Sequence, residues 1–429
     1  MEYGASLDTS LPDVPILRLD NTTKQRIVLI LSLACQSPAR GIETFFEEIC
    51  GISVSEGWIR DVLHEANKRA EVFDEQVDLS KIDQIAIDEI FQKNKPILTG
   101  VDTESTYAFL LKQEMSRSCE AWGKHMEHLK NKGLNPTTSI SDEGTGLKAA
   151  LKEVFPDTNM QADTFHALHK VGKEIGKLER KATGLIKGEY ELEERMKGKR
   201  PRSKTAQSLN EIRPKVQEAV DTYDKAYILF CFLKILLGFA GYDFETTMTL
   251  CHWVLNELEE LSVKIPNLQN EVSKVRKILP RLLSFIGRLE QGMEEIASQT
   301  GLPVEAFLLM YQQLSVSVNS PQFIEIQCRL QSLLGARFFE AKEVFQQLLK
   351  RTKKASSMVE NLNGRIRVFI EVKRVIPSSF FALMKVYFNT QRYRRSRCAE
   401  RIGKSPLELL TGQPQQGFLD ALGYSNTAC

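Results

Sequence analysis

No two of the eight cysteines in this 429-residue chain form a CxxC pair, so neither a zinc ribbon nor a disulfide framework is indicated, and the thiols are expected to be reduced and buried. No run approaches the roughly 20 apolar residues of a membrane span. The first twenty residues are acidic and contain proline, unlike the basic-then-apolar order of a secretion signal. A soluble, cytoplasmic protein is the expectation, with no membrane partner. Net charge is only +2 and by itself gives no reason to expect a polyanionic partner. The 42% share of apolar residues is ordinary for a folded protein, and the length allows two or three domains.

Charge is present in patches. Between Arg365 and Lys404 eleven Lys and Arg face two Glu, and the densest part, Arg392-Tyr393-Arg394-Arg395-Ser396-Arg397, interleaves arginine with an aromatic ring. Such a tract suits a phosphate backbone. A second stretch, Lys170 to Lys204, holds twelve Lys and Arg against six Glu, and reads equally well as solvated surface.

Three segments, Thr23–Cys35, Arg40–Cys50 and Val54–Ala70, read as helices, the third following a turn at Gly51. That is the layout of a helix-turn-helix, and also of any small helical bundle. As a DNA-reading module it would expose Ser55, Glu56, Trp58 and Arg60. From Lys81 the period becomes that of strands: Ile82–Phe91, Lys95–Asp102 and Ser105–Gln113 form an antiparallel meander. Helix Ser116–Lys132, strand Thr137–Ser141, helix Gly146–Phe155 and strand Asn159–Asp163 follow. Three strands, helix, strand, helix, strand is the order of a ribonuclease H-like core, in which the fourth strand lies parallel beside the first.

Residues 170–350 contain no convincing strand. Helical stretches Leu209–Phe239, Thr246–Val263, Leu268–Gln299, Pro303–Val316 and Ile324–Leu349 make an all-helical insertion, with Phe230, Phe232, Phe239 and Trp253 expected in its core. The expected fold is therefore an α/β ribonuclease H-like core with a mixed five-stranded sheet, interrupted by a large all-α insertion and preceded by a small helical N-terminal domain. Along the chain this gives a tail (1–22), a helical DNA-binding candidate (23–75), the first part of the core (80–169), the insertion (170–350), a core completion with the basic tract (351–412) and a second tail (413–429).

Three carboxylates fall at telling places in that scheme. Asp88 sits inside the apolar run Ile85–Phe91, where a charge is costly unless it binds a metal or completes a buried ion pair. Asp142 ends the fourth strand before Glu143-Gly144 and could instead cap the next helix. Glu360 lies on a helix that starts near Ser356 and also carries Asn363 and Arg367; its rival reading is a capping box from Ser357. Together the three could hold two divalent cations, Mg²⁺ or Mn²⁺, for phosphodiester chemistry. Asp163, His166 and Asn363 are candidates for supporting or substrate contacts, and Arg365, Arg367, Arg392, Arg394, Arg395 and Arg397, with Trp58 and Arg60, for contacts to DNA.

With Ile87-Asp88-Glu89, Ser141-Asp142-Glu143-Gly144, Asp163-Thr164-Phe165-His166 and Ser357-Met358-Val359-Glu360-Asn361-Leu362-Asn363-Gly364-Arg365 in this order, the chain resembles a DDE-type transposase of a bacterial insertion sequence, of the class with a helical insertion before the final Glu. The string at 163 is similar to the (C/D)xxH signature of the hAT, Mutator-like and related superfamilies. The resemblance implies metal-dependent cleavage and strand transfer, with Asp88, Asp142 and Glu360 as catalytic metal ligands. It further implies double-stranded DNA as partner, a homodimer or larger assembly on it, and a place at the nucleoid. Alternatives are a related nuclease or resolvase that never joins strands, and a domesticated transposase that only binds DNA.

Overall fold

The computed structural model describes residues 19–197, 203–263 and 265–425. Most of the N-terminal tail, the centre of the basic run Lys197–Lys204 and the end of the C-terminal tail lie outside the described residues.

Helices α1 (Asn21–Leu33), α2 (Ala39–Cys50) and α3 (Glu56–Glu75) open the described chain. Asp20 caps α1 through the Thr23 amide at 2.7 Å, Gly51 ends α2 at φ 66°, and Ser55 caps α3 through the Trp58 amide. Strands β1 (Gln84–Gln92), β2 (Lys95–Asp102), β3 (Ala108–Gln113), β4 (Thr138–Ser141) and β5 (Asn159–Ala162) form one sheet in the order β3-β2-β1-β4-β5. Only β2 runs against the others.

The β1–β2 hairpin closes through Lys93 and Asn94, both at positive φ, the two-residue turn whose twist matches that of the strands. β3 starts three residues later than its pattern predicts, because the Asp102 carboxylate accepts the Ser105 amide at 2.8 Å and Thr106 turns the chain at φ 64°. Gly100 sits at an irregularity of the β2–β3 ladder, where a Cβ would come within 2.5 Å of the Phe109 ring.

Helix α4 (Cys119–Asn131) carries the chain back so that β4 pairs in parallel with β1, Ser141 opposite Ile87. Helix α5 (Thr145–Val154) leads to β5, and α6 (Thr164–Met196) leaves β5 directly. The insertion continues with α7 (Ser203–Leu236), α8 (Phe244–Ser262), α9 (Pro266–Leu282), α10 (Ser284–Thr300), α11 (Val304–Gln313), α12 (Pro321–Leu334) and α13 (Phe338–Arg351). The run expected as one helix from Leu268 to Gln299 is two, parted at Leu283, and Ile324–Leu349 breaks at Gly335. Phe230 and Phe239 pack against the insertion core, but Phe232 and Trp253 are about half exposed, correcting the expectation that all four are buried.

Helices α14 (Ser357–Lys373), α15 (Phe381–Thr390), α16 (Pro406–Thr411) and α17 (Phe418–Ala421) return to the sheet. One sheet face packs Ile85, Ile87 and Leu98 against α4 and α5 through Trp122, Met126 and Leu151. The other packs Ala86, Ile90 and Ile97 against α14 and α15, and the same core takes in Val28, Phe46 and Ile59 of α1–α3. The N-terminal helices thus share the core that completes the sheet. Buried side chains pin these pieces: Gln92 brackets both backbone groups of Ile376, Asn389 those of Ala108, and Asp74 on α3 meets Lys385 at 2.7 Å and Lys132 at 3.2 Å.

Among the described residues the expectation of buried thiols holds fully only for Cys251, while Cys35, Cys328 and Cys398 are exposed; Cys429 lies outside the described residues. Among the described residues no helix is long and apolar enough to cross a membrane.

Candidate functional site

The register of β1 and β4 decides what meets what. Because Ser141 stands opposite Ile87, Asp142 leaves the sheet beside Asp88. Asp88 is 6% exposed, with Asn363 of α14 donating to its Oδ2 at 2.7 Å. The Thr99 hydroxyl lies 2.9 Å from the Asp88 carbonyl and 3.0 Å from Asn363 Oδ1, so its single proton serves one of them at a time. Burial, with the neighbouring charges of Glu360 and Asp142, pushes the Asp88 carboxyl up to about 7 against the opposing pull of the Glu89 amide and His166.

Asp142 Oδ1 accepts the Gly144 amide at 3.1 Å, but Gly144, not Asp142, is the N-cap of α5. The capping reading of Asp142 is therefore replaced by a local turn that leaves its second oxygen free of that bond. Gly146 fits this turn closely: a Cβ there would collide with the Arg117 carbonyl at the start of α4.

The capping box expected from Ser357 to Glu360 does not form. α14 begins one residue earlier than that reading needs, with Ser356 as N-cap and no side-chain cap bond. The Ser356 hydroxyl goes instead to Asp163 Oδ2. Asp163, 2% exposed, caps α6 through the Phe165 amide at 2.8 Å and accepts His166 Nδ1 at 2.8 Å. His166 Nε2 then reaches Glu360 Oε1 at 3.2 Å, and Arg367 approaches the other oxygen at 3.6 Å. The Asp163 bond, outweighing desolvation and aided by Asp88 and Glu360, holds the His166 imidazole up at about 9. A protonated His166 donates through both nitrogens, which suits it to orient Glu360.

Ligand atoms of Asp88, His166 and Glu360 lie within 4.8 Å of one another, as do those of Asp88, Glu89 and Asp142. Asp88 is common to both groups. Carboxylate oxygens from four residues are the donor set of a hard divalent cation, and they fit Mg²⁺ or Mn²⁺. Glu89 is the residue that strand alternation hides: next to Asp88 it should face the opposite side, yet its side chain is only 5% exposed and pairs with Arg117 at 2.8 Å. Glu143, beside Asp142, binds Lys148 at 2.7 Å and Arg281 of α9 at 2.6 Å, tying the insertion to the site.

The residues expected to touch DNA separate. Arg394, Arg395 and Arg397 are exposed and have no ion-pair partner among the described residues, whereas Arg392 meets Glu408 at 2.6 Å. Arg365 is largely covered, its guanidinium 4.0 Å from the Phe388 ring centre. Trp58 is half-buried edge-on to Phe46, which corrects its expected exposure, while Arg60 is exposed.

Residues 36–236 match the family model described as transposase, Mutator family. The match spans a little under half of the chain, taking in Asp88, Asp142, Asp163 and His166 and stopping before Glu360. Comparison with curated proteins gives no match. Over this part the chain is similar to transposases of the Mutator family, and a transposase, a protein that acts on DNA, is what the match supports.

Proposed function

We propose that the chain is a DDE-type transposase of an insertion sequence, which cuts a DNA strand at the element's end and joins the freed 3′-hydroxyl to a target phosphodiester. The observation that carries this reading is the meeting of Asp88, from the middle of β1, with Asp142 after β4 and with Glu360 from a helix 218 residues further on (360 − 142). The sheet order, with β2 alone antiparallel, supports a ribonuclease H-like core. In this reading 170–350 is the insertion, and helices α1–α3 belong with the core that 351–412 completes.

Asp88, Asp142 and Glu360, with Glu89, would hold two divalent cations. Those cations would supply Lewis-acid stabilisation to the attacking and leaving oxygens of an in-line displacement. The chain's own groups do the positioning. Asn363 fixes one oxygen of Asp88, while His166, held by Asp163 and Ser356, fixes one oxygen of Glu360. Arg394, Arg395 and Arg397 grip phosphates of double-stranded DNA, and pairing of two element ends calls for a homodimer or larger assembly at the nucleoid.

The test is cleavage and joining of DNA carrying the element's ends, taken from the genomic flanks of the coding region. Asp88→Asn, Asp142→Asn and Glu360→Gln should each abolish both steps with fold and DNA binding retained; a variant with more than a few per cent of activity removes its residue from the site. Because no capping box involves Glu360, Glu360→Gln should leave the melting temperature unchanged without metal, and a clear drop would assign it a structural role. Mn²⁺ should replace Mg²⁺, whereas Ca²⁺ should permit binding without turnover.

A further inference from the structure

A cavity of about 190 Å³ opens between α6 and α9, immediately beside Asp142 and His166. Its wall is mainly hydrocarbon, with Ala167 on one side and Val275 and Ile278 on the other. Exposed Lys170, Lys274 and Lys277 stand at its rim, together with Glu271 and Glu143. An apolar hollow beside carboxylates is unexpected in a site that handles only the sugar–phosphate backbone. At this size it is smaller than the roughly 300–1,000 Å³ of sites for drug-sized ligands, and cavities of about 150 Å³ lined by aliphatic residues take up a single aromatic ring. Lysines around an apolar floor match a group with a flat, poorly solvated face and a negative charge attached, which describes a nucleotide.

We propose that this cavity receives one unpaired base of the DNA strand next to the phosphate being cut, with the rim lysines holding that nucleotide's phosphate. The proposal rests on the transposase reading and names the substrate feature its site recognises. It makes the insertion part of the active site: Val275 and Ile278 come from α9, and the Arg281–Glu143 ion pair holds that helix against the turn carrying Asp142. The ligand is a strand end or distorted junction with an unstacked base, in preference to intact duplex.

The experiment uses the full chain without divalent metal and two DNAs of equal length, a blunt duplex and a duplex with a short single-stranded tail. The tailed DNA should bind about tenfold more tightly, at the low end of what one base stacked on protein contributes. Ile278→Trp and, independently, Ala167→Leu fill the cavity and should erase that preference while blunt-duplex affinity stays within about twofold. In the unaltered protein, 5-iodouracil in the tail should photo-cross-link within 166–170 or 274–278. Equal affinity for the two DNAs, a preference that survives both filling variants, or cross-links only elsewhere would overturn the proposal. Cleavage of end-containing DNA in Mg²⁺ is scored separately: cleavage without tail preference overturns the cavity alone, and tail preference without cleavage overturns the transposase reading alone.

Discussion

Asn363 shows how a single buried amide can govern a charged site. It is fully buried, donates to Asp88 and is itself met by Thr99, so its rotamer is held from two sides. Groups of this kind orient a ligand without touching the metal, and their loss typically costs about 10–100-fold in metal affinity or activity. We expect Asn363→Ala to lower the cleavage rate by that order and to raise the Mg²⁺ concentration needed for half-maximal rate. A lower melting temperature with unchanged metal dependence would make it a packing residue only. At the same scale Asp74 has a different task. Burial alone would raise its carboxyl, but Lys385 and Lys132 hold it below the usual carboxylate range. Its folded value being depressed, this contribution is full above the unfolded value near 3.9 and fades as pH falls through the lower folded value. Asp74→Asn should therefore cost about 3–5 kcal/mol at neutral pH by leaving two buried ammonium groups unpaired. Thermal melts from pH 7 down to 2 check both: the variant's deficit should shrink toward the acid end, and a constant deficit would refute the ionic explanation.

Among the elements, the basic tract after α15 divides into arginines with and without partners. Arg394, Arg395 and Arg397 are free to release counterions from DNA, so replacing all three by Ala should flatten the logarithmic salt dependence of binding by up to about 2.7, at about 0.9 per contact. Arg392→Ala should leave that slope alone and loosen the 405–412 segment instead, since its partner Glu408 also closes the capping box of α16. Salt titrations of binding, beside hydrogen exchange of α16, separate the two; a slope that drops equally for Arg392→Ala would show that its ion pair opens on DNA. The sequence made the tract visible but not this division, because partner choice depends on a helix fourteen residues further on. The same holds for the carboxylates. Asp88 and Asp142 were legible because an acid in an apolar strand has few uses and the strand order puts them side by side. Glu89 was not, since alternation sends it to the other face. The Ser357–Glu360 spacing suggested a capping box, but the helix starts one residue earlier, with Ser356 as N-cap and its hydroxyl drawn to Asp163, nearly two hundred residues back along the chain.

For the whole molecule, the strands followed from hydrophobic period and their crossings from the order of elements, whereas the joining of the N-terminal helices to the sheet-completing core did not, because nothing local marks a face as destined for α14 and α15. The insertion poses a mechanical question. α6 runs 33 residues, or about 50 Å at 1.5 Å per residue, from Asp163 outward. Arg213 of α7 binds Glu189 and Glu193, so the outer parts of the two helices move together. The inner end is fastened to Ser356, and His166 sits one turn from that fastening. A tilt of about 5° about that end would carry the far tip through roughly 4 Å over a rod of this length, yet displace a residue one turn along by less than about 1 Å. His166 therefore lies at the anchored end of a long arm, where Val171 and Ile175 pack α6 into the insertion core: the outer α6–α7 hairpin can sway to follow a bent or broken duplex while the short span from Asp163 to Glu360 keeps its alignment.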